Sequence, residues 1–376
     1  MLTPVPNRRA TGSLKWDKRP DLDPFWVADM DFQSPPEVIA ALQERVNHGV
    51  FGYAVPQQSL ISTLQNYLSK RMNYSAEENE IVHLGGLVPA LSLAIRAFTN
   101  AGDSVMTSAP VYPPFLGVHH DGSCQLQTIQ HVQFKDQWTF DWEKMVAEVR
   151  PETKVFILSN PQNPLGRVFT EREIVKLATF CKKLGIILLS DEIHCDLILD
   201  EEETPHFSAL NLPEELRNNT ITLLSPSKTY NIAGLGYAYA VIPDDSVRRR
   251  FNAAKGHTLP EINALAYVAA EAAYTHGEPW REELVSVLRK NRNFLTSTLA
   301  DRMPQIVVPN IEATYLAWMD CSALAHENPA LLAEQKEKLY LSDGSFFGSP
   351  KAVRFNFGCT TSRVQDGLEK LIRALS

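Results

Sequence analysis

Between residues 153 and 242 short apolar runs alternate with stretches of helical period. VFIL at 155–158, IILLS at 186–190, TITLL at 220–224 and YAYAVI at 237–242 read as buried strands, apolar on both faces. The loop letters NPQNPLG follow the first run. The period from Glu171 to Leu184 predicts a helix, and Gly185 is its stop signal. Strands of this kind alternating with helices predict an α/β fold, a mostly parallel sheet sandwiched by helices. Such sheets place ligands at the carboxyl ends of their strands, so chemistry is expected in the polar residues just beyond each run.

Residues 280–375 follow another rhythm. Helices are expected near 280–300, 329–338 and 363–375, and strands at IVV (306–308), TYLAWMD (314–320) and VRFNFG (353–358), a mixture suited to a smaller α+β domain. Residues 1–40 are rich in proline and lack a period, which predicts an extended arm packed on one of the domains. The expected organisation is a large domain over 41–280, with 1–40 and 281–376 forming the N-terminal arm and the small C-terminal domain.

Composition narrows the class without naming a function. The 376 residues are 44% hydrophobic and 21% charged, which excludes a disordered chain, a collagen-like repeat and a coiled coil. Basic residues number 36 against 44 acidic, a net charge of −8, and no long basic run is present. Neither nucleic acid nor an anionic membrane is an expected partner. The cysteines are Cys124, Cys181, Cys195, Cys321 and Cys359, an odd number with no CxxC pair, which points to a reducing cytoplasm rather than a disulfide framework. The N-terminus lacks the apolar stretch of a secretory signal, and the most apolar windows are too short to span a bilayer.

Four motifs sit where the fold expects chemistry. SPSKTYNIAGLG (225–236) places Lys228 among small hydroxyl residues after a strand. A polar surface loop fits the same letters, but a buried lysine loses its proton readily and forms Schiff bases. The serines Ser225 and Ser227 can donate to a phosphate. LSDEIHCDL (189–197) puts Asp191 at a strand end, as a turn cap or as the carboxylate that holds a proton on a heterocyclic nitrogen. SNPQNPLGR (159–167) holds Asn163 in a loop stiffened by proline, as a plain turn or as an amide donor to a phenolate oxygen. HLGGLVPALSLAIRAF (83–98) opens a helix after two glycines, a common turn and also a ready phosphate site.

In this order the motifs resemble the fold-type I, pyridoxal-phosphate-dependent aminotransferase superfamily. WVADMDF (26–32), FGYAVP (51–56), APVYPPF (109–115), EAAYTHGEPW (271–280) and TYLAWMD narrow the resemblance to the MalY/PatB-type cystathionine β-lyases, or C–S lyases, from about Arg8 to the C-terminus. The resemblance implies a large domain that binds pyridoxal 5′-phosphate, with Lys228 holding it as a Schiff base. Asp191 is implied to pair with the ring nitrogen and Asn163 to bond the phenolate oxygen. Tyr112 and Ile193 are implied to cover the two ring faces, and His194 to stand where many aminotransferases carry tyrosine. Gly86 and Leu87, with Ser225 and Ser227, are implied to hold the phosphate, joined by Tyr53 of a neighbouring subunit in a homodimer. Arg354 is implied to clamp the carboxylate of an amino-acid substrate, with Asn163, Ala28 and Asp29 closing the pocket. No metal is implied.

The implied activity is β-elimination of L-cystathionine or a related cysteine S-conjugate to a thiol, pyruvate and ammonia. An aminotransferase needs the same lysine, aspartate and arginine, and a binding or regulatory protein on this fold is a third reading. Two features depart from the pattern. Gly236 stands eight positions beyond Lys228, where many aminotransferases carry a phosphate-binding arginine, and is followed by the apolar YAYA. The segment GSPKAV (348–353) is short before Arg354.

Overall fold

Seven strands form the main sheet of the computed structural model, which describes residues 2–3, 7–134, 137–256 and 259–376. They are β1 (Ile81–Leu84), β2 (Ser104–Ala109), β3 (Gln125–Gln130), β4 (Thr153–Ser159), β5 (Ile187–Asp191), β6 (Thr220–Leu224) and β7 (Ala238–Val241). Their spatial order is β1-β7-β6-β5-β4-β2-β3. All pairings are parallel except those of β7, which runs antiparallel to both β1 and β6. The connection from β6 to β7 holds a 3₁₀ turn and no α-helix, so the chain doubles back beside the strand it has just left. The apolar run at 237–242 is thus a strand of the same sheet with the direction reversed.

Each expected buried run lies in this sheet. Val155, Phe156, Leu188, Leu189, Ile221 and Leu223 are all at most 1% exposed, because helices cover both faces. The helix Glu171–Lys183 starts on a capping box between Thr170 and Glu173 and turns Ile174, Leu177, Ala178 and Cys181 inward. Gly185 has φ +67°, the left-handed conformation that ends a helix.

A second, antiparallel sheet is built from β8 (Leu316–Asp320), β9 (Ser342–Asp343) and β10 (Ala352–Asn356), in the order β8-β10-β9. The helices Glu278–Arg302, Pro329–Glu337 and Thr361–Leu375 accompany it. IVV at 306–308 does not form a strand and contributes one isolated bridge, between Val307 and Asp320. Pro309, two residues on, has no amide to extend a ladder.

The region 1–40 is less extended than its letters suggest. A short helix covers Leu14–Asp17, and Asp23–Pro24 pairs in parallel with Leu339–Tyr340. The helix Pro36–Asn47 begins inside it, with proline in its first turn and Val38 fully buried. Phe25, Met30 and Val38 share one apolar core with Leu284, Leu288, Phe355, Leu368 and Leu371. Among the described residues no helix is long and apolar enough to cross a membrane.

Candidate active site

The carboxyl ends of β4, β5 and β6 come together in register. Ser159 pairs with Asp191, and Asp191 lies opposite Leu223, so the loops carrying Asn163, Asp191 and Lys228 open side by side. They line a cavity of about 770 Å³, well inside the range of small-molecule sites. Ile193, His194 and Ser227 enter from the same loops, Gly86 and Leu87 from the start of the helix Leu87–Phe98, and Tyr112 from the loop after β2. Ala28 and Arg354 complete the wall from the N-terminal segment and β10.

Three expected site residues lie outside that lining. Ser225 is buried, donates its hydroxyl to the Tyr237 carbonyl at 2.6 Å and accepts from the Ser227 amide at 3.1 Å, so it shapes the loop. The Asp29 carboxylate turns to Arg8, with oxygens 3.1 and 2.8 Å from its two terminal nitrogens. Tyr53 is fully exposed, in a stretch where Val50, Phe51 and Val55 are exposed too.

Lys228 is partly exposed, toward the cavity that it lines. Its Nζ donates to the Ala28 carbonyl at 2.7 Å, an oxygen that also accepts from the Tyr315 hydroxyl at 3.1 Å. Burial pushes the ammonium pKa down to about 8; Asp29 and Asp191 pull it back and Arg354 adds to the depression. Burial raises Asp191 to about 7, against the bond from the Ile193 amide, while the charge of Glu192 adds to the rise. The Ile193 amide meets only Oδ1 of that carboxylate, at 3.1 Å. Burial, with Lys228 and Arg354 nearby, holds His194 neutral with a pKa of about 3, and its Nδ1 is buried without a hydrogen-bond partner.

Arg354 is a buried cation held by carbonyl, amide and hydroxyl oxygens. NH1 donates to Asn163 Oδ1 at 3.0 Å, and NH2 donates to the Trp26 carbonyl at 2.8 Å and to Ser342 Oγ at 3.3 Å. The guanidinium lies 4.7 Å from the centre of the Phe347 ring, and its Nε is buried without a partner. Burial lowers its pKa to about 10, so it stays charged at neutral pH. Since the guanidinium only donates, the Asn163 atom facing it is oxygen and the amide Nδ2 is left to the cavity.

Sequence reasoning missed the residues that hold this wall. Asn231 accepts from the Met30 amide and donates to the carbonyls of Met30 and Phe32. Asn356 donates to the carbonyls of Val27 and Asp29. Both lie in motifs quoted above, but nothing in their spacing says that they strap residues 27–32 over the sheet.

At the far end Gly86 has φ +139° and precedes a helix whose first amides have no intrahelical partner. Gly236 has φ +66°, and a Cβ there would stand 3.2 Å from the Gly85 carbonyl oxygen. Gly86, Ser227 and Gly236 line the same cavity.

The sequence model of the family described as aminotransferase class I and II matches residues 25–371. The chain belongs to this family. Among its relatives, cystathionine β-lyase PatB of Bacillus subtilis is 35% identical over 381 aligned residues, covering 98% of each chain. The crystal structure of OvoB superposes with a TM-score of 0.96 at 36% identity, over 100% of this chain and 99% of that one. Cystalysin from Treponema denticola, whose structure contains a pyridoxal 5′-phosphate cofactor, has a TM-score of 0.94 at 31% identity, over 100% and 99% of the two chains. The wall of this aminotransferase-family cavity thus combines an amine, a carboxylate, a primary amide, a guanidinium and free amides, with two buried nitrogens unpartnered.

Proposed function

We propose that the protein is a pyridoxal-phosphate-dependent carbon–sulfur β-lyase that cleaves L-cystathionine or a related cysteine S-conjugate to a thiol, pyruvate and ammonia. The observation that carries this reading is Lys228, an amine of depressed pKa, in one cavity with Asp191, Asn163 and Arg354. The similarity to PatB chooses β-elimination among the reactions this set allows.

The residues fit the cofactor. Asp191 keeps Oδ2 free for a ring nitrogen, and the Asn163 amide has Nδ2 free for a phenolate oxygen. Tyr112 and Ile193 line the cavity as ring covers, and His194, whose Nδ1 is buried without a partner, lines it too. Ser227 and the amides of Gly86 and Leu87 suit a phosphate, as a helix N-terminus does. Bound pyridoxal phosphate supplies an aldehyde for the substrate amine and an electron sink for the charge left at Cα.

Arg354 would hold the substrate α-carboxylate and so orient the Cα bonds. Lys228, once free, takes the Cα proton; a pKa near 8 leaves a useful fraction neutral at physiological pH. The same ammonium then delivers a proton to the departing sulfur at Cβ. Water completes the conversion of the remaining three-carbon fragment to pyruvate and ammonia. Burial raises the Tyr112 hydroxyl pKa, so Tyr112 covers the ring as a neutral phenol.

The exposed Tyr53, Val50, Phe51 and Val55 support a homodimer in which this stretch meets a second copy and Tyr53 reaches the neighbouring phosphate. The apolar core shared by Phe25, Met30 and the helices beyond residue 280 supports grouping 1–40 with 281–376. All five cysteines are buried and free, in keeping with a cytoplasmic enzyme.

The test is pyruvate release from L-cystathionine without an added keto acid. Many turnovers per subunit are expected from the wild type and none from Lys228→Ala. Conversion of the cofactor to its amine form without pyruvate makes the protein an aminotransferase, and wild-type turnover by Lys228→Ala removes that residue from the chemistry.

A further inference from the structure

The cavity is lined not only by the reacting residues but also by Lys18, which is exposed, and by Glu334 of the helix Pro329–Glu337. Lys18 differs from the basic residues around it. Lys15 Nζ is committed to Asp31 at 2.9 Å and Arg19 to Glu334 at 2.7 Å, whereas among the described residues no ion pair engages Lys18. Its Nζ lies 4.7 Å from the centre of the Trp26 ring. The Trp26 carbonyl is the oxygen that holds Arg354. Trp26 therefore carries Arg354 on its backbone carbonyl and an unpaired cation near its ring.

Apolar side chains share the cavity wall with Asn328, Tyr340, Ser342 and Asp343. Leu331 and Phe346 line it while remaining 49% and 68% exposed, and Val88 is 42% exposed at the same mouth. Single exposed apolar side chains are ordinary, but three around one cavity mouth suit the methylenes of a thioether. Glu334 uses Oε1 for Arg19, and its second oxygen is left for another donor.

We propose that Lys18 and Glu334 select the substrate by its far end: Lys18 binds a carboxylate, and Glu334 an ammonium, carried by the second arm of a cysteine thioether. The preferred class is then a zwitterion-terminated conjugate, of which L-cystathionine is the simplest case, rather than a conjugate ending in an alkyl or aryl group. This inference rests on the β-lyase reading and narrows it. A short neutral substituent stops at the apolar steps and leaves both rim charges in water, so it gains nothing from them.

The experiment compares L-cystathionine with S-methyl-L-cysteine, which has no second arm, on the holoenzyme. Lys18→Gln is expected to raise KM for L-cystathionine about 3- to 5-fold, the upper range of an exposed ion pair, with kcat unchanged. KM for S-methyl-L-cysteine is expected to stay within about twofold. Lys18→Arg is expected to restore the L-cystathionine KM, and added salt to shrink the difference between wild type and Lys18→Gln. Equal effects on the two substrates, no effect on either, or wild-type turnover of S-methyl-L-cysteine alone overturns the proposal and leaves the β-lyase reading standing. No pyruvate from either substrate with the wild type overturns that reading, and this inference with it.

Discussion

Arg354 NH1 donates to Asn163 Oδ1 at 3.0 Å, joining the strand β10 to the loop beyond β4. The bond couples two tasks. It helps to hold the guanidinium, and it turns the amide so that its N–H₂ faces the cavity. Lysine at 354 has neither the second nitrogen for the Trp26 carbonyl nor the planar fork for a carboxylate.

Arg354→Lys is therefore expected to lower kcat/KM by about 100-fold or more, the cost of truncating a buried charge-assisted contact, with most of the loss in KM. Initial rates of pyruvate release over a wide substrate range measure it. An unchanged KM would place the carboxylate clamp on another residue.

Asp191 gives a pH-dependent stability prediction. Burial is the main cause of its rise from 3.8 to about 7. Between those values the folded, cofactor-free protein keeps a proton that the unfolded chain releases. Stability contributed by this site thus falls as pH rises through 4 to 7, and the penalty is complete above about 7. Asparagine carries no such charge. Cofactor-free Asp191→Asn is expected to match the wild type near pH 4 and to exceed it at pH 8, on the order of 2–4 kcal/mol. Thermal melts across that range decide the sign, and a wild type that gains on the variant with rising pH contradicts it.

Asn231 sits at φ +56° and makes three hydrogen bonds to residues 30–32. Alanine loses those bonds and tolerates the left-handed conformation less well. Asn231→Ala is expected to cost roughly 2–4 kcal/mol in denaturant unfolding. Residues 27–32 should then gain hydrogen exchange ahead of the strands β4 and β5. Uniform exchange across the molecule would mean that this asparagine does not strap the segment.

The alternation of apolar runs and helical periods determined the parallel core of the sheet, and with it the places where Lys228, Asp191 and Asn163 emerge. Those placements are local: each residue lies within a few positions of a buried strand end, so a correct strand puts it at the edge. Burial by neighbouring layers, which the apolar runs already required, is also what depresses the pKa of Lys228.

Tertiary structure decided what depends on distant segments meeting. The direction of β7 followed from where its edges found partners, β1 on one side and β6 on the other. Ser225 has the right letter in the right motif, yet the Tyr237 carbonyl claims its hydroxyl, and the carboxylate of Asp29 belongs to Arg8. The clamp around Arg354 joins Trp26, Asn163 and Ser342 from three separate parts of the chain. Local periodicity reports which face of an element is buried; it carries no record of which distant donor meets which acceptor, because that pairing is chosen only when the layers close on one another.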